Sequence, residues 1–171
     1  GLRVADFSWV GVGPISGKYL ADHGANVIRI ESSARADNLR TAGPYKDDKP
    51  GWNRSQFYGE FNTSKRSLAL DLKHERAREV VEPILRWADV ILESFTPGAA
   101  LRLGFGYEAA RRVNPSVIMV STCLMGQTGP LASMAGYGYH AAAIAGFYDL
   151  PGWPDRAPVG PWPAYTDTIA P

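Results

Sequence analysis

Residues Val4–Glu31, "VADFSWVGVGPISGKYLADHGANVIRIE", decide the fold. Leu2–Phe7 ("LRVADF") and Asn26–Glu31 ("NVIRIE") are short runs rich in strand-favouring residues. "PISGKYLADHG" between them has a proline at a first-turn position and ends on Gly24, which is how helices are punctuated. Strand, helix and strand make a βαβ unit. The order then repeats: "RSLALDLK" (Arg66–Lys73) reads as a strand, "HERAREVVEPILRWA" as an amphipathic helix and "ADVILESF" as a buried strand. "YEAARRVNPS" follows as a short helix ended by Asn114 and Pro115, leading into the apolar strand "VIMVSTC". Alternation of this kind predicts an α/β fold, doubly wound and Rossmann-like, with a mostly parallel sheet and helices on both faces. Pro83 interrupts the second helical pattern and is expected to kink or split it.

Working outward, residues 32–55 form a polar segment longer than an ordinary connection, so it is expected to be mobile or to cover a ligand. After Cys123 the composition changes. "LMGQTGP" is turn-rich, "GYGYHAAAIAGFYDL" is a small-residue helix, and "PGWPDRAPVGPWPAYTD" is dense in proline and tryptophan. Pro158, Pro161 and Pro163 stiffen the approach to Asp167, while Trp153 and Trp162 either pack or wall a pocket.

The whole-chain numbers narrow the classes of partner. With 18 Lys and Arg against 17 Asp and Glu, the formal charge is +1, and no global field points to nucleic acid or an anionic membrane. A single cysteine, Cys123, sits in an apolar run; it reads as a buried thiol in a reducing compartment and rules out an internal disulfide framework. No apolar run approaches the ~18 residues of a membrane span. The expected setting is cytoplasmic, and the expected organisation is one domain or part of one, because the chain starts without methionine and stops at "YTDTIAP". No cluster with metal-ligand spacing is visible.

The glycine turn asks for a nucleotide ligand but matches the dinucleotide fingerprint only in part. Gly11, Gly13 and the acidic Glu31 fit; Ser16 occupies the third glycine position, Gly17 comes one residue late, and Pro14 stands in the turn. A helix N-terminus behind small residues can still receive a phosphate-bearing ligand, or the turn can be a tight βα connection with no ligand.

The series "RVADFSWVGVGP", "LADHGANVIRIE", "FNTSKRSLALDLK", "ADVILESFTPGAALRLGFGYE", "NPSVIMVSTCLMGQTGP" and "GPWPAYTD" resembles, in order and spacing, the family III coenzyme A transferases over nearly the whole chain. The resemblance implies a coenzyme A site in place of a dinucleotide site. It also implies a longer protein, of which residues 1–171 are the N-terminal part of a CoA-binding Rossmann-like large domain. The small domain and the C-terminal return of the chain lie outside it, and two subunits thread through each other as an intertwined homodimer. In the family an aspartate matching Asp167 is the nucleophile. It carries CoA as an aspartyl-CoA thioester from an acyl-CoA to a free carboxylic acid, with CoA as substrate and no tightly bound cofactor. A carboxylate suits such a relay because the intermediate is an anhydride. Read without the family, Asp167 would cap a helix begun by "TIA".

The positions matching CoA contacts are Trp9, Val10, Gly11 and Val12 at the first turn, Leu70 and Lys73 after the third strand, Ser94 and Phe95, and Arg102 with Leu103. Lys73 and Arg102 have the charge to neutralise the ribose phosphate and pyrophosphate, or else are solvated surface cations. Trp9, Ser32 and Ser94 stand where formyl-CoA transferase has histidine, arginine and asparagine, which points away from a formyl or oxalyl substrate. The α-methylacyl-CoA racemases share the same superfamily and carry a His-Asp pair where this chain has Tyr137 and Gly138. His140, three residues further on, reads as a packed or surface histidine, and a tyrosine with an ordinary pKa near 10 is a poor base for enolisation. A non-catalytic nucleotide-binding fragment is the remaining alternative.

Overall fold

The computed structural model describes residues 1–161 and 164–171, so Trp162 and Pro163 lie outside the described residues. Five strands form one sheet: β1 (Arg3–Phe7), β2 (Asn26–Glu31), β3 (Arg66–Ala69), β4 (Val90–Glu93) and β5 (Ile118–Ser121). All neighbouring pairs are parallel, in the order β3-β2-β1-β4-β5. The helices are α1 (Val12–Asp22), α2 (Gln56–Phe61), α3 (Ala77–Trp87), α4 (Ala99–Arg102), α5 (Tyr107–Val113), α6 (Gly138–Ile144) and α7 (Tyr165–Ile169).

Side chains alternate across the strands, which gives the two layers. Ala5, Phe7, Ile30 and Ile91 face a core closed by Val81 and Leu85 of α3, Phe105, and Ala110 of α5. Val4, Val27, Val90 and Leu92 face the other way, against Ala21 of α1. Helices therefore cover both faces, as the βα alternation predicts. Phe105 stacks on Phe7 with ring centroids 4.5 Å apart, which ties the α4–α5 connection to the centre of the sheet.

Three expectations change in detail. The third strand ends at Ala69: Leu70 makes the last bond to β2, its N–H donating to Glu31 O, and the chain then turns, with the His74 N–H closing onto Asp71 O. The helix carrying Pro83 is not split: α3 runs unbroken from Ala77 to Trp87 with Pro83 exposed and Val81 and Leu85 buried. The segment 32–55 is tied down rather than loose, with two 3-10 turns (Asn38–Thr41 and Lys46–Asp48) and bridges Ser32–Arg35 and Tyr45–Ser55. No helix among the described residues is long and apolar enough to cross a membrane.

Candidate active site at the carboxyl edge

In a parallel sheet every strand delivers its following turn to the same edge, and ligands gather where the strand order reverses. Here that point lies between β1 and β4. A cavity of about 460 Å³ opens there, lined by the turn after β1, the turn after β4, Thr122–Leu124 after β5, residues 132–137 and α7. Trp9, Val10, Gly11, Val12, Ser94, Phe95 and Asp167 all reach its wall. Leu70, Lys73, Arg102 and Leu103 do not. Leu70 and Leu103 pack against the core beneath, while Lys73 and Arg102 are exposed on the turns after β3 and on α4. They remain on the carboxyl edge, with β3 two strands, or about 10 Å, from β1.

Glycine is required at Gly13 by close approach. A Cβ there would lie 2.2 Å from Ser8 Cβ and 3.0 Å from Thr122 Oγ1. Gly13→Ala is expected to lower stability by about 1–3 kcal/mol, the usual effect of overpacking, measured as a fall in the denaturation midpoint. The third close approach falls on Gly17, not Ser16: a Cβ at Gly17 would stand 3.0 Å from Asp6 Oδ2 and 3.3 Å from Leu92 Cδ1. Helix and strand thus meet one residue later than the dinucleotide fingerprint expects.

Glu31 is not available to a ribose. Its carboxylate takes the Arg40 Nε–H at 2.5 Å and the Tyr58 hydroxyl at 3.0 Å. Arg40 also lies 3.6 Å from the Tyr58 ring centre. Burial pushes the Tyr58 hydroxyl above its ordinary range, and the Glu31 charge adds to this. The residue that would mark a dinucleotide site is thus consumed in fastening residues 32–61 to β2.

Asp167 lies in the first turn of α7, two residues inside its start, so it does not cap the helix; Ala164 occupies that place. The carboxylate is half-buried between two helix starts. A Cβ on Gly11 would come within 3.2 Å of Asp167 Cβ, and one on Gly138 within 2.9 Å of its Cγ. Thr166 Oγ1 donates to Gly138 O at 2.9 Å, which locks α7 onto α6. Burial raises the Asp167 carboxyl above its ordinary 3.8, with the Gly138 N–H opposing. Among the described residues lining the cavity, Asp167 is the one carboxylate, and no histidine is present. His140 does not line it; its Nδ1 accepts the Tyr137 N–H at 3.0 Å, closing the first turn of α6.

The profile of CoA-transferase family III matches residues 1–171. The chain belongs to CoA-transferase family III. It is 38% identical to succinate–glutarate CoA-transferase of Agrobacterium fabrum, over 93% of this chain and 40% of that protein. It is 39% identical to acetyl-CoA:oxalate CoA-transferase of Acetobacter aceti, over 92% of this chain and 39% of that protein. Among solved structures, a CAIB/BAIF family protein from Brucella suis superposes with a TM-score of 0.89 at 36% identity, covering 98% of this chain and 44% of that one. The chain therefore spans about 40% of the length of these curated relatives, and the family fold of that part is the doubly wound sheet described above. The relatives' names include both glutarate, at 38% identity, and oxalate, at 39%, so overall similarity does not select an acid.

Some wall residues were not legible in the sequence. Cys123 is not buried; it is partly exposed on the cavity wall, with Gln127 Nε2 3.5 Å from its sulfur. Arg35, which does not itself line the cavity, lies over the ring of the wall residue Trp9 at 4.9 Å. A cation three residues after Ser32 was the available signal, but only the tight turn closed by the Ser32–Arg35 bridge turns it toward Trp9. Trp153 is 71% exposed and neither packs nor lines the cavity. Trp162 falls on the residues not described.

Proposed function

We propose that this chain is the CoA-binding, nucleophile-bearing N-terminal part of a CoA-transferase that moves CoA between two carboxylic acids through Asp167. The observation that carries the reading is the lone Asp167 carboxylate on a cavity at the strand crossover, with no histidine base beside it. A carboxylate raised above its ordinary range is a more basic, stronger nucleophile than a free aspartate once ionised. Its oxygen attacks the thioester carbonyl, the C–S bond breaks, and CoA leaves as thiolate. The thiolate then attacks the Asp167 carbonyl of the mixed anhydride, releasing the donor acid and forming the aspartyl-CoA thioester. An acceptor carboxylate attacks that thioester, thiolate leaves again, and its attack on the acceptor side of the second anhydride forms the new acyl-CoA and restores Asp167. No net proton is transferred, consistent with a wall lacking an acid–base pair.

The cavity holds the thioester end, with Trp9–Val12, Ser94 and Phe95 against the pantetheine. Lys73 and Arg102 further along the edge meet the phosphates, joined by Arg35. Residues 1–171 form part of the large domain, and the remainder of the protein supplies the small domain, the chain return and the intertwined homodimer. Exposed Ile118 and Val120 on edge strand β5 support an additional covering element there. A racemase reading is weaker, since Tyr137 and Gly138 provide no imidazole and His140 is occupied as a cap.

The test is incubation with a panel of acyl-CoAs and hydroxylamine, followed by peptide mass spectrometry. A hydroxamate at Asp167 supports the relay; solvent deuterium entering the α-carbon without an adduct favours a racemase. Arg35→Ala is expected to weaken CoA binding roughly two- to tenfold, with a smaller salt dependence than the wild type, as befits an exposed phosphate contact. Calorimetric titration at two ionic strengths measures both.

A further inference from the structure

Val10 holds a conformation its side chain resists. Its φ is +64°, in the left-handed region that a β-branched residue rarely adopts. It also lines the cavity, between Trp9 and Gly11. Two hydrogen bonds hold the turn: Trp9 N–H to Ser94 Oγ at 2.6 Å, and Val10 N–H to Asp37 Oδ2 at 3.1 Å. Asp37 is 1% exposed and comes from the polar segment after β2. It also receives Arg29 Nη2 at 2.6 Å and the Leu39 N–H at 2.9 Å, the latter capping the first 3-10 turn.

The bond to Val10 has a definite consequence. An N–H that a glycine turn would offer to ligand is turned inward onto a buried carboxylate. The next groups, the N–H donors of the N-cap Gly11 and of Val12 and Gly13 in the first turn, have no partner within α1, as at any helix start. They line the cavity on which Asp167 lies. The left-handed step at Val10 sets their direction.

We infer that Asp37 is a positioning residue for acyl-CoA: by holding Val10 in the left-handed conformation, it fixes the turn that receives the thioester end of the substrate. The inference rests on the proposed function. It assigns the segment 32–41 a task that is neither that of a mobile loop nor that of a lid, since a carboxylate buried under the turn links the segment to the cavity floor. Arg29 fixes Asp37 in place, and the 3-10 cap fixes its second oxygen, so the acceptor has little freedom of its own.

The test is a double-mutant cycle on the full chain with CoA as the probe. Asp37→Ala in the wild-type background is expected to weaken CoA binding, and to raise KM for acyl-CoA more than it lowers kcat, by roughly tenfold or more, the worth of one charge-assisted hydrogen bond. In the Val10→Gly background, where the left-handed conformation carries no steric penalty, the same substitution is expected to change binding roughly threefold or less. If Asp37→Ala does not fold, the charge-balanced pair Arg29→Met with Asp37→Ser takes its place in both backgrounds. An equal loss in both backgrounds overturns the inference, because a merely structural role does not depend on residue 10. If the wild type itself does not bind CoA, the functional reading fails and the inference falls with it.

Discussion

Asp167→Ala is expected to abolish CoA transfer, lowering kcat by roughly 10⁴-fold or more, as deletion of a covalent nucleophile does when no other group can take its role. No neighbouring carboxylate is available to substitute: among the described residues of the cavity wall, Asp167 is the only one. Binding of CoA should survive, because the turn after β1 and the turn after β4 hold most of the wall without α7. The measurement pairs steady-state transfer with calorimetric CoA titration and hydroxamate trapping. Transfer retained within tenfold, or a hydroxamate still formed in the variant, would end the case for Asp167.

The same carboxylate predicts a pH signature. Its folded pKa lies above its ordinary 3.8, with burial as the leading cause. A group raised on folding contributes its stabilisation fully below the unfolded pKa and loses it as pH rises through the folded value. Ionised Asp167 therefore weighs against the fold at neutral pH. Asp167→Asn, uncharged throughout, should be more stable than the wild type at pH 7, with the difference vanishing below pH 3.8. Nucleophilic attack needs the ionised form, so the acid limb of kcat/KM should lie above 3.8. Thermal melts across pH, with the rate profile, check both signs.

How far the sequence disclosed this architecture depended on the kind of signal. The parallel order was legible because βα alternation and continuous apolar runs such as "VIL" in β4 are local, and local pattern fixes a doubly wound sheet. The turn after β1 was legible as a candidate ligand contact because blocks such as "RVADFSWVGVGP" resemble the family. Burial of charge was not. Asp6 and Arg29 sit among apolar neighbours within their strands and are register partners across β1 and β2, yet pairing of those positions follows only from the sheet. Glu31 misled in the same way: its distance from the glycine turn suits a ribose, and only the arrival of Arg40 and Tyr58 from the long segment removes it. Cys123 read as core from an apolar run, but the strand ends at Ser121 and the thiol emerges on the cavity wall. Side-chain destinations set by residues far along the chain lie beyond any local pattern.

Arg29→Met should destabilise the fold more than any surface substitution, by about 3–5 kcal/mol, the cost of leaving a buried charge without its partner. The guanidinium is 2% exposed between Asp37, 2.6 Å from Nη2, and Asp6, 3.6 Å from Nη1. Asp6 keeps a second cation in Lys65 at 2.8 Å, whose ammonium burial pushes below its ordinary range. Asp37 has no such reserve among the described ion pairs. Loss of Arg29 therefore strands Asp37 beneath the turn that carries Val10, and the midpoint of thermal unfolding is expected to fall by roughly 6–20 °C for a chain of this size. The contrast is Arg3→Ala, which breaks a bidentate pair with Asp89 at the surface, where the two side chains are 44% and 37% exposed. That change should stay within about 1 kcal/mol. Denaturant midpoints for both variants decide the matter, and an Arg29→Met protein as stable as Arg3→Ala would show that the buried network does not hold the segment 32–41 to the sheet. The network is also imperfect, since Arg29 Nε and Nη1 have no hydrogen-bond partner. Four charges buried with incomplete hydrogen bonding are a poor way to gain stability alone, but they place one carboxylate under the N–H of Val10, at the turn proposed to receive the substrate thioester.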